Sequence, residues 1–394
     1  MKKTVSILLL VCLLVCSCAF ADAEPDAACE EHSWVYVSSY STTCFVTVKN
    51  NSAAPVSVSG RCTALDSEGT VLGTATMNIR VIGPSEESIG VFRFEGITDA
   101  EKLEYELAYE TPTVSSILSS LLVDSHGNTE GVTVLVTNTA SVPASGPLIY
   151  CLFFDENDAL VSYAYSYLTD YDEELKPGVT LAEQLNSAAA FDHFRLYMSA
   201  YAGIGQIAPV TPRVSEADFS FKEYAEATPF DTTYYVAVKS SASVPVGIRA
   251  NAIAYDADNN VLGAANALID VLAPGEETVT VFTFYFVTGC DHIRYRLFFD
   301  ERPRVRSAIS DMETRISYSG EDINVTVTNT GEKPIRYANL TALFTDETGA
   351  VVSMQMFSCA DDEGELKPGV SVTRKITPDV NFESLELYVS GQKD

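Results

Sequence analysis

The sequence predicts an all-β chain: four small β-sandwich modules in tandem, ordered A-B-A′-B′ and preceded by an export signal. Three observations carry this prediction. Residues 45–110 align without a gap with residues 235–300 at a shift of 190, and by direct count 22 of the 66 positions are identical. Residues 114–201 align with 305–392 at a shift of 191, where Asn138/Asn329, Pro143/Pro334, Asp155/Asp346, Gly178/Gly369 and Tyr197/Tyr388 coincide. Within each copy apolar residues alternate with polar ones, the period of a strand with one buried face. A fixed shift over such lengths marks a duplicated unit. A two-module cassette was copied once.

The elements follow in order. Lys2 and Lys3, the apolar run Ile7 to Val15, and Ala19-Phe20-Ala21 before Asp22 form the pattern of a secretory signal over residues 1–21. The run is shorter than the ~20 apolar residues that span a bilayer. Leu14-Val15-Cys16-Ser17-Cys18 also resembles a lipobox, which makes Cys18 a candidate lipidation site. Both routes place the chain outside the bacterial cytoplasm, free or anchored at the cell envelope by lipid, with no membrane span expected. The repeats then divide the chain into modules over 33–111, 112–208, 225–303 and 304–391, with 209–224 as a linker containing two prolines, whose later part has an edge strand of the third module as its alternative reading.

Each module opens on a strand such as VTVKNN (46–51), VLVTNT (134–139), VAVKSS (236–241) or VTVTNT (325–330). A second strand runs into an Asp-led tetrad at Asp66, Asp155, Asp256 or Asp346. Asp starts tight turns by accepting backbone amides, and Gly or Asn accepts positive φ, so these tetrads read as hairpin turns. Many short strands punctuated by turns in modules of 80–100 residues predict immunoglobulin-like sandwiches. The Asn-ending strand, the aromatic-Asp turns (Tyr255-Asp256, Phe154-Asp155), the following Val-Leu-Gly and Pro274-Gly275-Glu276 resemble the FxLYD modules of bacterial secreted and surface proteins. The related CARDB adhesion-type modules share this layout. The resemblance implies an immunoglobulin-like fold and supplies no catalytic residue.

Composition narrows the function. The chain of 394 residues carries 54 Asp and Glu against 25 Lys and Arg, a formal charge of −29. Binding to nucleic acid draws on Lys and Arg, so such a partner is not expected, nor is docking on anionic head groups. Four histidines (His32, His126, His193 and His292) occur without a Gly-x-Ser-x-Gly elbow or a His-Glu-x-x-His helix, so no enzyme is expected. Two acidic loops, with Asp170, Asp172 and Glu174 in one and Asp361, Asp362 and Glu363 in the other, are candidates for calcium, which takes hard oxygen ligands. The competing reading is a pair of solvated loops. Tyr163, Tyr165 and Tyr167 share one face of a predicted strand, either a binding surface or a packing face. Cys44 and Cys62 share inward parity with Val46 and Ala64 and are a candidate disulfide.

These readings add up to a non-enzymatic exported binding, adhesion or scaffold protein, with an extracellular protein or glycan as the expected partner. The alternative is a carbohydrate- or calcium-binding accessory protein.

Overall fold

The structure is a computed structural model. It describes residues 29–169, 174–203, 214–227, 231–301, 303, 305–319, 322–377 and 380–393. The export signal, Cys18, Asp170 and Asp172 lie outside the described residues. Contacts divide the chain into two compact units at Ser115/Ser116.

The first unit contains β1 (Cys29–Val37), β2 (Ser41–Asn50), β3 (Val56–Leu65), β4 (Val71–Ile82), β5 (Glu87–Glu95) and β6 (Lys102–Glu110). They form two three-stranded antiparallel sheets, β1-β2-β5 and β4-β3-β6. Inward residues of both sheets, including Val46, Val58, Ala64 and Phe92, meet in one core.

The second unit repeats this wiring three times. First come β7 (Leu121–Gly127), β8 (Gly131–Asn138), β9 (Ala144–Phe154), β10 (Leu160–Tyr167), β11 (Glu174–Leu175), β12 (Thr180–Asn186) and β13 (His193–Ala202). Sheet β12-β8-β7 packs on a sheet in which β9 pairs with β10, β11 and β13. Next are β14 (Phe219–Ala227), β15 (Thr232–Ser240), β16 (Val246–Tyr255), β17 (Val261–Leu272), β18 (Glu277–Phe284) and β19 (His292–Asp300), giving β14-β15-β18 and β17-β16-β19. Last are β20 (Arg306–Ser307), β21 (Met312–Ser319), β22 (Asp322–Asn329), β23 (Ile335–Thr345), β24 (Val351–Ser358), β25 (Glu365–Leu366), β26 (Ser371–Ile376) and β27 (Ser384–Lys393). Here β21-β22-β26 faces the sheet built on β23. Helical turns among the described residues are three short 3-10 segments. The all-β prediction holds.

Two boundaries are refined by the structure. Residues 219–224, the later part of the linker segment, take the alternative reading: they open β14, an edge strand that pairs along its whole length with β15. Phe219 and Phe221 supply core contacts to that sandwich. The first sandwich also begins before residue 33, because β1 starts at Cys29.

The Asn that ends the first motif strand has a structural reason. Asn50 is fully buried; its Nδ2 donates to the carbonyls of Ala54 (2.8 Å) and Ile82 (3.0 Å), and its Oδ1 accepts from the amide of Ser52 (2.9 Å). Asn138 makes the same set with Val142, Leu175 and Ala140, and Asn329 with Lys333, Leu366 and Gly331. One buried side chain therefore satisfies three backbone groups where two loops cross, and burial without such partners would be costly. The third sandwich has Ser240 there instead, which accepts from the amide of Ala242 at 3.3 Å.

Candidate functional site

The Asp-led tetrads are hairpin turns. In each, Oδ1 of Asp66, Asp155, Asp256 or Asp346 accepts the amides two and four residues on, at 2.8–3.0 Å. The fourth position takes positive φ at Gly69, Asp158, Asn259 and Gly349. These donors stabilise the ionised carboxylate, so all four carboxyls are held below the usual range: by the Thr70 amide at Asp66, the Ala159 amide at Asp155, the Asn260 side chain at Asp256 and the Thr348 side chain at Asp346.

Asp361, a candidate calcium ligand, is a fifth turn of the same kind. Its Oδ1 accepts the amides of Glu363 (2.9 Å) and Glu365 (3.1 Å), and Lys367 Nζ lies 3.3 Å from its carboxylate and 2.6 Å from that of Glu363. Asp362 is exposed beside them. Glu174 of the other loop accepts a hydrogen bond from the Ser145 hydroxyl. Among the described residues no group of three or more His, Cys, Asp or Glu side chains converges as a metal site.

At the turn ends of the second and third sandwiches a mixed stack recurs. The Phe154 ring carries the His193 imidazole (5.4 Å, 13°) and the Arg195 guanidinium (4.7 Å). Asp158 receives Arg195 at 2.7 Å and His193 Nε2 at 3.1 Å, with Asp192 3.2 Å from Nδ1. In the third sandwich Tyr255, His292, Arg294 and Asn259 occupy the same places, and His292 Nε2 is buried without a hydrogen-bond partner. Beside His193 lies a shallow open depression of about 510 Å³, lined in part by Asn128, Phe191 and Asp192. Its chemistry is that of hydrogen bonding and ring contact.

Of the three candidate tyrosines on β10, Tyr163 is half-buried, whereas Tyr165 and Tyr167 are 43% and 55% exposed. Tyr165 stacks on Tyr150 of the neighbouring strand at 5.4 Å. In the copied half the shift of 191 places Met354 opposite Tyr163. Met354 packs where the third and fourth sandwiches meet: Tyr235 and Ala237, from the outer face of β15, lie against Leu343, Val351 and Tyr388. Lys222 bridges to Glu386 at 3.2 Å, Tyr388 donates to the same carboxylate, and Thr278 donates to the Val389 carbonyl at 3.0 Å. In that half the face serves packing between sandwiches.

A second junction, missed in the sequence, joins the second and third sandwiches. Ala250 and Ala252 point into the core of the third, so Asn251 points out; even so it is only 6% exposed. Its Nδ2 donates to the Ala182 carbonyl (2.7 Å) and its Oδ1 accepts the Ala182 amide (3.1 Å). Ala182 lies on edge strand β12, and the Asn251 amide offers it the donor and acceptor that a neighbouring strand would. Asn251 also donates to Asn266 (2.7 Å), which donates to Glu183 (2.8 Å); Ser166 donates to the other Glu183 oxygen (3.1 Å). Burial raises the Glu183 carboxyl above its ordinary value, partly opposed by the Asn266 and Ser166 hydrogen bonds. The available signal was a difference between copies, since Arg61 and Thr76 stand where the second copy has Asn251 and Asn266.

Cys44 and Cys62, the candidate disulfide, are adjacent as free thiols. Their mutual hydrogen bond, together with burial, pushes the Cys44 thiol up, and the same bond lowers that of Cys62.

No family model and no curated protein matches the chain. Solved structures with partial likeness include red sea bream transglutaminase, at 12% identity over 54% of this chain and 29% of that one, TM-score 0.16. Escherichia coli alpha-2-macroglobulin activated by porcine elastase is 10% identical over 94% of this chain and 44% of its own, also with TM-score 0.16. The chain thus spans less than half the length of either.

Proposed function

We propose that this chain is a non-enzymatic, exported scaffold of the bacterial cell envelope, which holds the loops at its module ends toward an extracellular protein or glycan. The observation that carries the reading is the pair of built junctions within residues 116–394. A scaffold needs fixed angles between modules. Asn251 on Ala182, and the Tyr235–Leu343–Tyr388 contact, supply such fixation through side chains that serve no strand pairing of their own. The alternation of dissimilar modules gives each junction its own chemistry, and the exposed turns and the His193 stack form surfaces on which a polar partner can rest.

Two measurements on the full chain test this. Spin labels placed at the exposed turn positions Asn157 and Thr348 are expected to give a narrow distance distribution that broadens in Asn251→Ala. A distribution already broad in the wild type refutes a stiff scaffold. N-terminal mass analysis after expression in a bacterial host is expected to find a lipidated Cys18 or a free Asp22. An intact Met1 in a cytoplasmic fraction refutes export.

A further inference from the structure

We propose that Cys44 and Cys62 form a disulfide that ties together the two facing sheets of the first sandwich. Cys44 lies on β2, the middle strand of one sheet, and Cys62 on β3, the middle strand of the other. They are 1% and 0% exposed and belong to one core, close enough for each thiol to perturb the ionisation of the other. Both positions face the core as a property of the fold: the matching residues are Val132 and Cys151 in the second sandwich and Ile323 and Ala342 in the fourth, each pair buried in one core. The first sandwich is the one that places sulfur on both sides, whereas Cys151 meets a valine position.

The nearby alternative partner is Cys29. It pairs in register with Asn50, six residues along β2 from Cys44, which at ~3.4 Å per residue is roughly 20 Å away. A cystine joins Cα atoms only about 5.5–6 Å apart. Cys62 is therefore the partner within reach of Cys44.

The chemistry is two-step thiol–disulfide exchange. The thiolate of one cysteine attacks a sulfur of a small disulfide oxidant such as oxidised glutathione; that S–S bond breaks, and one reduced glutathione leaves with a proton. The second cysteine, as its thiolate, then attacks the protein sulfur of the mixed disulfide and expels the second glutathione. The protein gives up two electrons and two protons, and the oxidant becomes two thiols. Because both sulfurs are enclosed in the finished core, exchange must precede its closure.

The test refolds the reduced full chain in mixed reduced and oxidised glutathione, denatures it in N-ethylmaleimide without reductant, and digests it with trypsin. Cys44 falls in the peptide ending at Lys49, and Cys62 begins the peptide ending at Arg80. The expected product joins these two peptides with the loss of two hydrogens, carries maleimide on Cys29, and separates on reduction. Fragmentation assigns the link to Cys44. Cys62→Ala is expected to abolish the link and leave Cys44 labelled. Maleimide or glutathione on both Cys44 and Cys62 in the wild-type chain, or a link from either to another cysteine, overturns the proposal. This readout is taken on the wild-type chain and does not depend on the variant folding.

Discussion

Replacing Asn50 by alanine isolates the device that fastens the loop crossing of the first sandwich. The substitution removes two hydrogen bonds donated to the Ala54 and Ile82 carbonyls and two accepted, from the Ser52 amide and the Ser52 hydroxyl. The Ile82 carbonyl sits in the interior, where a lost partner costs ~1–3 kcal/mol, while the groups nearer the surface regain water and lose ~0.5–1 kcal/mol each. The expected loss is about 3 kcal/mol. Trp34, the single tryptophan, lies on β1 of this sandwich, so its fluorescence follows the unfolding of that body. With a urea slope of about 1 kcal/mol per M for so small a sandwich, the midpoint should fall by ~2–3 M. Asn50→Leu separates hydrogen bonding from volume, because it refills the space without an amide. Both variants should lose similar stability. A shift below ~0.5 M for alanine, or near-complete recovery with leucine, refutes the assignment of this stability to the amide.

Asn251→Ala should leave the edge of β12 without its side-chain partner; hydrogen exchange at the Ala182 amide should accelerate at least tenfold while exchange in the interior of β8 is unchanged. Glu183 has a raised carboxyl pKa, so its contribution is present below the unfolded-state value and is lost as pH rises through the folded one. Glu183→Gln should therefore gain stability relative to the wild type at pH 7, with the gap closing toward about pH 4 in parallel urea titrations. The turn aspartates titrate in the opposite sense: with folded values lowered, their contribution is present above the unfolded-state value and declines as pH falls, so Asp256→Asn should flatten the acid limb of a stability–pH curve between about pH 5 and pH 2. Phe286 holds a φ of 60° and is 55% exposed where the other copy has Gly96 at 75°. Restoring glycine there should raise the thermal midpoint, reflecting relief of ~1 kcal/mol of backbone strain.

The fold was readable because its signals are local. Alternation at Val46 and Val48, the Asp-led tetrads and the Asn-ending strands each describe one element and its immediate turn, and the duplication repeats each signal. The second half of the 209–224 segment left two readings open because β14 combines two core phenylalanines with charged neighbours directly after a stretch containing two prolines. The junction residues were hidden for a different reason. Asn251 obeys the outward parity of an ordinary solvated position, and only the chain that meets it, 69 residues away at Ala182, makes it interior. Nothing in a period-two pattern distinguishes an outward residue facing water from one facing a neighbour. The acidic loop at Asp361 shows the converse. Its carboxylates suggested a cation, while the turn amides and Lys367 already occupy them.

The alternating order of the cassette bears on how such a chain survives synthesis. Adjacent stretches that are nearly identical can trade strands while still nascent, and long arrays of repeats are prone to that error. Here the closest relatives are separated by an unlike sandwich, about 190 residues apart along the polypeptide. The copy of a given β-strand therefore follows its original only after a whole intervening sandwich, a separation along the chain that favours pairing of each strand within its own body.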